Sequence, residues 1–129
     1  WDLTITPLDT CGNVFLQGDN FERLKKSSDP LAQAVIQNHF AWCENVKDWP
    51  ILSHMNPQLQ SSLLYDTVAV YLSFSESLLE MEQLPIVVTD DGKTLVDDRG
   101  QRVNCAMQWK DQAAFEALLT KRLLNEDTE

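Results

Sequence analysis

The sequence predicts an α+β fold: an antiparallel sheet packed against two long helices and a C-terminal helix. Three observations carry that expectation. The 129 residues match the size of one domain, with 43% hydrophobic residues and few Gly or Pro. Two long stretches repeat their apolar residues at helical spacing. Between and around them lie short segments of β-branched residues bounded by turn residues.

The first element is "WDLTITPL". Trp1, Leu3 and Ile5 fall on one side of an extended segment, and Asp2, Thr4 and Thr6 on the other. Pro7 and "DTCGN" break it, and "NVFLQ" (13–17) reads as a returning strand, so 1–17 is expected to form a hairpin. "NFERLKKSS" reads as a short amphipathic helix. In "SSDPLAQAVIQNHFAWCENV", Ser28 or Asp29 can cap a helix and Pro30 suits its first turn. Leu31, Val35, His39, Trp42 and Val46 form one stripe of that helix. Ile36, Phe40 and Cys43 form its neighbour.

"NPQLQSSLLYDTVAVYLSFSESLLEMEQ" (56–83) starts in the same way, with Asn56 as cap and Pro57 after it. Leu59, Leu63, Val70, Phe74, Leu78 and Met81 keep helical spacing. Within 67–75, Val68, Val70, Leu72 and Phe74 also alternate as a strand would. The unbroken helical pattern on both sides favours a helix that stops at Pro85. "IVVT", "TLVD" and "RVNCAMQW" then read as a meander of three strands. "KDQAAFEALLTKRLL" reads as a helix with Asp111 in its first turn and Lys121 and Arg122 in its last, as the helix dipole favours. Residues 125–129 read as a frayed tail. The chain begins at Trp1 rather than Met, which reads as a fragment or a processed form of a longer product.

The two strand connections are "TDDGKT" and "DDRGQ". Asp91-Gly92 fits a two-residue hairpin loop, which sets Asp90 opposite Lys93 and Thr89 opposite Thr94. The second fits a type I turn with Asp97 first and Gly100 in the left-handed position. Neither stretch has the spacing or the terminal Glu of a helix-loop-helix calcium site. Neither has the glycines of a phosphate loop, and four acids there would repel phosphate.

Charge is the strongest functional signal. The formal net charge is −10. Between Glu44 and Asp98 there are ten acids, opposed only by Lys47 and Lys93. Such a field repels nucleic acid and anionic lipid and speeds the approach of a basic protein. No apolar run reaches the roughly 18 residues of a membrane span. Cys11, Cys43 and Cys105 are an odd number with no close pair, which points to a reducing compartment such as the cytoplasm.

These features predict a non-catalytic binding protein for a basic partner. Bacterial inhibitors, immunity proteins and secretion chaperones are classes of this size and charge. Its surface would combine Glu76, Glu80 and Glu82 on a polar helix face with Asp90, Asp91, Asp97 and Asp98 in the turns. No cofactor motif is present: GxSxG, HExxH, CxxC and a Gly-rich nucleotide loop are all missing. The alternative is a small cysteine- or metal-dependent enzyme on His39 and Cys43, which lie four apart on one helix. His54 and Cys105 could join such a site.

Overall fold

The computed structural model describes residues 1–50 and 54–126. In chain order the elements are β1 (Thr4–Ile5), α1 (Leu8–Cys11), α2 (Gly18–Lys26), α3 (Pro30–Asn45), α4 (Tyr65–Leu72), β2 (Leu79–Val88), β3 (Thr94–Val96), β4 (Gln101–Trp109) and α5 (Gln112–Leu123). The fold is α+β, and its sheet is mixed rather than antiparallel, in the order β1-β4-β2-β3. Two compact units divide the chain. One is Trp1–Asn13 with Tyr65–Asp111. The other is Val14–Leu64 with Gln112–Glu129.

The first unit holds the whole sheet. The expected N-terminal hairpin does not form, because Pro7 starts a helical turn instead of a β-turn. Its carbonyl accepts from Thr10 and Cys11 N–H at 2.9 and 3.1 Å, making α1. The strand before it, β1, therefore pairs parallel to β4, with Thr4 opposite Asn104 and Ile5 opposite Cys105. Thr10 ties α1 down from its side-chain oxygen to Met107 O at 2.8 Å, and Trp109 Nε1 donates to Thr10 O at 3.0 Å.

The expected second long helix is only α4. It ends where Ser73 competes for its backbone, and a serine turn follows. Ser73 Oγ donates to Val70 O at 2.6 Å, and Ser75 Oγ accepts from Ser77 N–H at 3.3 Å. From Leu79 the chain is strand, so "LEMEQL" belongs to β2 and not to a helix. Its apolar residues fit both periods, and ten residues of sheet pairing decide for strand beyond the serine turn that follows α4.

Pro85 lies inside β2, a central strand, where proline is normally excluded. The hydrogen bonds explain it. Its carbonyl accepts Asp97 N–H at 2.9 Å, at the end of β3. The reciprocal bond, which would need a Pro85 N–H, is replaced by Gly100 N–H donating to Asp97 O at 2.8 Å.

The three strands do not form a meander. β2 stands between β3 and β4, and Ile86 is opposite both Val96 and Gln101. The four residues 97–100 carry the chain from one side of β2 to the other. A Cβ on Gly100 would lie 2.5 Å from the Ile86 carbonyl carbon and oxygen. Gly100 does not have the positive φ expected of it. It is required for close backbone approach instead.

The second unit is helical, with a core of its own. Asp29 caps α3, accepting from Leu31 N–H at 2.8 Å, with Pro30 in the first turn as expected. A cap of this kind contributes about 1 kcal/mol. The buried side of α3 is Ala32, Ile36, His39 and Cys43, rotated from the predicted Leu31 stripe, and Leu31 is exposed. Leu16, Phe21, Leu24, Ala32 and Ile36 form the core cluster, and Leu119, Leu123 and Leu124 pack on it. "NVFLQ" is not a strand of the sheet: Asn13 ends a turn, and Gln17 forms an isolated bridge with Gln60. Val14 and Leu16 are fully buried, and their carbonyls accept from Leu64 and Ser61 N–H at 2.8 Å each. Asn125 has a positive φ, and Glu126 pairs with Arg23 at 2.6 Å. The rest of the expected tail, 127–129, is outside the described residues.

Candidate functional site

All seven predicted acids belong to the sheet unit. Their settings differ from the expectation. Glu76 sits in the turn before β2, and Glu80 and Glu82 sit on β2 itself, so no acidic helix face exists there. Six of the seven are exposed, and Asp97 is half-buried.

The hairpin tip is one residue out of the expected register. Val88 pairs with Thr94 and Val87 with Leu95. Thr89 N–H donates to Lys93 O at 2.9 Å, closing a loop of three residues rather than two. Gly92 takes φ 82, the left-handed position that ends such a loop. Asp90 therefore does not face Lys93. The Lys93 ammonium instead meets Asp91 at 2.8 Å, and Thr89 Oγ1 also donates to Asp91. Lys93 first and Thr89 second hold the Asp91 carboxyl below the usual carboxylate range.

The crossing turn repeats this arrangement. Asp97 accepts from Arg99 N–H and Nε, both at 2.9 Å, and from Nη2 at 2.7 Å. The Arg99 guanidinium, with its backbone N–H, holds Asp97 low as well. So two of the seven acids are locally compensated. Among the described residues, Glu76, Glu80, Glu82, Asp90 and Asp98 have no cation at ion-pair distance.

The sheet unit contains eleven carboxylates against four cations, a net of −7. The helical unit has nine against six, a net of −3. The acidity expected from the chain as a whole is thus concentrated on the sheet unit.

One face of the sheet is largely apolar, with Glu82 and Gln101 among its exposed polar members. Strand alternation and pairing put Leu84, Ile86 and Val88 of β2 on it with Val103 and Cys105 of β4, Thr94 and Val96 of β3, and Ile5 of β1. A groove of about 590 Å³ runs over this face, walled at one side by Pro7, Leu8 and Asp9. Glu82 is on the same face, and its charge adds to burial in pushing the Cys105 thiol up. Sequence reasoning missed this groove. Its residues come from four strands and α1, and only their pairing brings them together.

His39 and Cys43 do meet, with Sγ 3.7 Å from Nδ1. Both ring nitrogens already have stronger partners. Ser62 N–H donates to Nδ1 at 2.9 Å, so Nδ1 is the acceptor and Nε2 carries the proton given to Pro57 O at 2.8 Å. The ring fastens α3 to the 57–62 segment, and its edge-on contact with Phe21 has centroids 5.4 Å apart. With Nδ1 occupied, no lone pair is left to take the Cys43 proton, and burial pushes that thiol up. His54 is exposed and Cys105 is in the other unit. Among the described residues, no group of three or more His, Cys, Asp or Glu could hold a metal ion.

Tyr71 is the other clustered polar group. Its hydroxyl meets Ser75 Oγ at 3.0 Å and Ser77 Oγ at 3.1 Å, and accepts Leu78 N–H at 3.3 Å. Burial pushes the phenol up, but these bonds and the Lys110 charge outweigh it and bring it below its ordinary value. The cluster fastens the end of α4 to the start of β2.

No protein-family model matches the chain, and no curated protein sequence matches it. Among the described residues, no helix is long and apolar enough to cross a membrane.

Proposed function

We propose that the chain is a non-catalytic binding protein that engages a basic protein partner through its acidic sheet unit, as an inhibitor, an immunity protein or a chaperone would. The observation that carries this reading is the charge separation, −7 on the sheet unit against −3 on the helical one. Glu80 and Glu82 lie on β2, and Asp90 and Asp98 on the turns at either end of β3, all exposed. Such a surface accelerates encounter with a cationic protein and rejects nucleic acid and anionic membranes. Cys11, Cys43 and Cys105 are free and buried, which suits a cytoplasmic setting.

The test is affinity capture from the native cell, with salt elution, using the natural chain and one with Glu80, Glu82, Asp90 and Asp98 changed to Lys. The natural chain retains a basic protein that the reversed chain does not. A partner held equally by both, or indifferent to salt, sinks the reading. The enzyme alternative has the 3.7 Å approach of Cys43 to His39 in its favour and the Ser62 N–H on that nitrogen against it. Rapid alkylation of Cys43 in the folded chain at neutral pH would decide for it.

A further inference from the structure

We propose that the outer edge of β3 is a strand-addition site, which takes an extended segment of a basic protein partner with apolar residues at alternate positions. This rests on the acidic-binding reading and specifies how the partner is held.

The backbone of β3 is paired on one side alone. β3 ends the sheet. Lys93 O accepts from Thr89 N–H and Asp97 N–H donates to Pro85 O, so residues 93 and 97 turn their polar groups toward β2. Alternation does the same for Leu95 and points the N–H and C=O of Thr94 and Val96 outward. Those outward groups have no partner among the described residues.

The side chains of β3 leave this edge accessible. Sheet edges are blunted by shortness, lysine, proline or a bulge, and β3 has only the first of these, at three residues. Here the strand is Thr-Leu-Val, with Leu95 49% and Val96 61% exposed beside Val88 at 68%. The lysine before it has its ammonium on Asp91. Thr94 and Val96 also wall the groove over Leu84 and Ile86. A strand added along β3 would lay every second side chain beside that groove.

Charge selects the occupant. Asp90 lies beyond one end of β3 and Asp98 beyond the other, neither in an ion pair among the described residues. A strand carrying Lys or Arg toward its ends meets opposite charge at both. A second copy of this chain would bring the same acids against them and be repelled.

The experiment titrates the isotope-labelled full chain with a short synthetic peptide alternating lysine and valine, read by amide hydrogen exchange. In the free chain Thr94 and Val96 amides exchange freely. The peptide slows both by about tenfold or more, while Leu95, already bonded to β2, changes little. A peptide of the same charge with alternate amides N-methylated binds at least about tenfold more weakly, because it cannot complete the ladder. Val96→Pro removes an outward donor at an edge position where proline is tolerated, so it weakens binding with the circular dichroism melt preserved.

Failure of the unmodified peptide to bind overturns strand addition. So does equal binding by the N-methylated peptide. If the pair Asp90→Lys and Asp98→Lys still weakens binding in that case, the acidic reading survives alone. If Val96→Pro and N-methylation abolish binding while that pair has no effect, the edge is the site and the acidic reading falls. A sedimenting dimer that Val96→Pro dissolves assigns the edge to a second copy and overturns the choice of partner.

Discussion

His39 shows how a residue that looks chemical can be structural. Two backbone groups, Ser62 N–H and Pro57 C=O, depend on its ring. Replacing it with Ala strands both and opens a void beside Phe21, so His39→Ala is expected to cost about 2–4 kcal/mol, read from urea unfolding. A loss below about 0.5 kcal/mol would show that water serves those groups equally well. The thiols give a second test. Burial pushes Cys43 and Cys105 up. Both should resist iodoacetamide at neutral pH, reacting on the order of 100-fold more slowly than in denaturant, followed by mass spectrometry.

Among the elements, the β2–β3–β4 connections carry the sharpest expectations. Gly92 and Gly100 close similar stretches for different reasons. At Gly92 φ is positive and a Cβ would meet nothing within 4 Å. Gly92→Ala should therefore cost only the left-handed penalty, about 1–2 kcal/mol. Gly100→Ala drives a methyl into the Ile86 backbone and should cost more, roughly 3 kcal/mol or above, or displace the crossing turn. Equal losses in thermal melts of the two variants would contradict the crossing geometry.

The carboxyls of the same turns add a pH signature. Lys93 holds Asp91 low and Arg99 holds Asp97 low. A depressed folded value means that the associated stabilisation is complete above the ordinary carboxyl range and is lost as pH falls through the folded value. Carbon-13 titration should place both midpoints below that range, and high salt should move them back toward it. Midpoints at ordinary values would mean that these exposed pairs are open in solution.

For the whole molecule, the relevant quantity is the location of charge. A field concentrated on the sheet unit predicts that a cationic peptide associates at least about tenfold faster at low salt than at 1 M, where the screening length is roughly 3 Å. Stopped-flow measurement across salt checks this. A rate that is flat with salt would remove electrostatics from the encounter.

Local instructions were legible in the residues. Asp29-Pro30 marked a helix start, Lys121 and Arg122 marked a helix end, and Gly92 marked a hairpin tip, because each acts on the backbone within a few residues. The α+β class and the excess of acid were legible for the same reason, being sums over composition and pattern. Three things required the tertiary structure. "LEMEQL" fits helix and strand alike, and only pairing with β4 makes it a strand. Pro7 fits a β-turn and a helix start alike, and docking of α1 on β4 through Thr10 and Trp109 favours the helical turn. The edge position of β3, and with it the apolar groove and its outward backbone groups, follows from a strand order that no local signal encodes. "TDDGKT" and "DDRGQ" specify two turns. That the second crosses β2, and so leaves "TLV" unpaired on one side between two acids, is a long-range outcome of which strand wins the place beside β2.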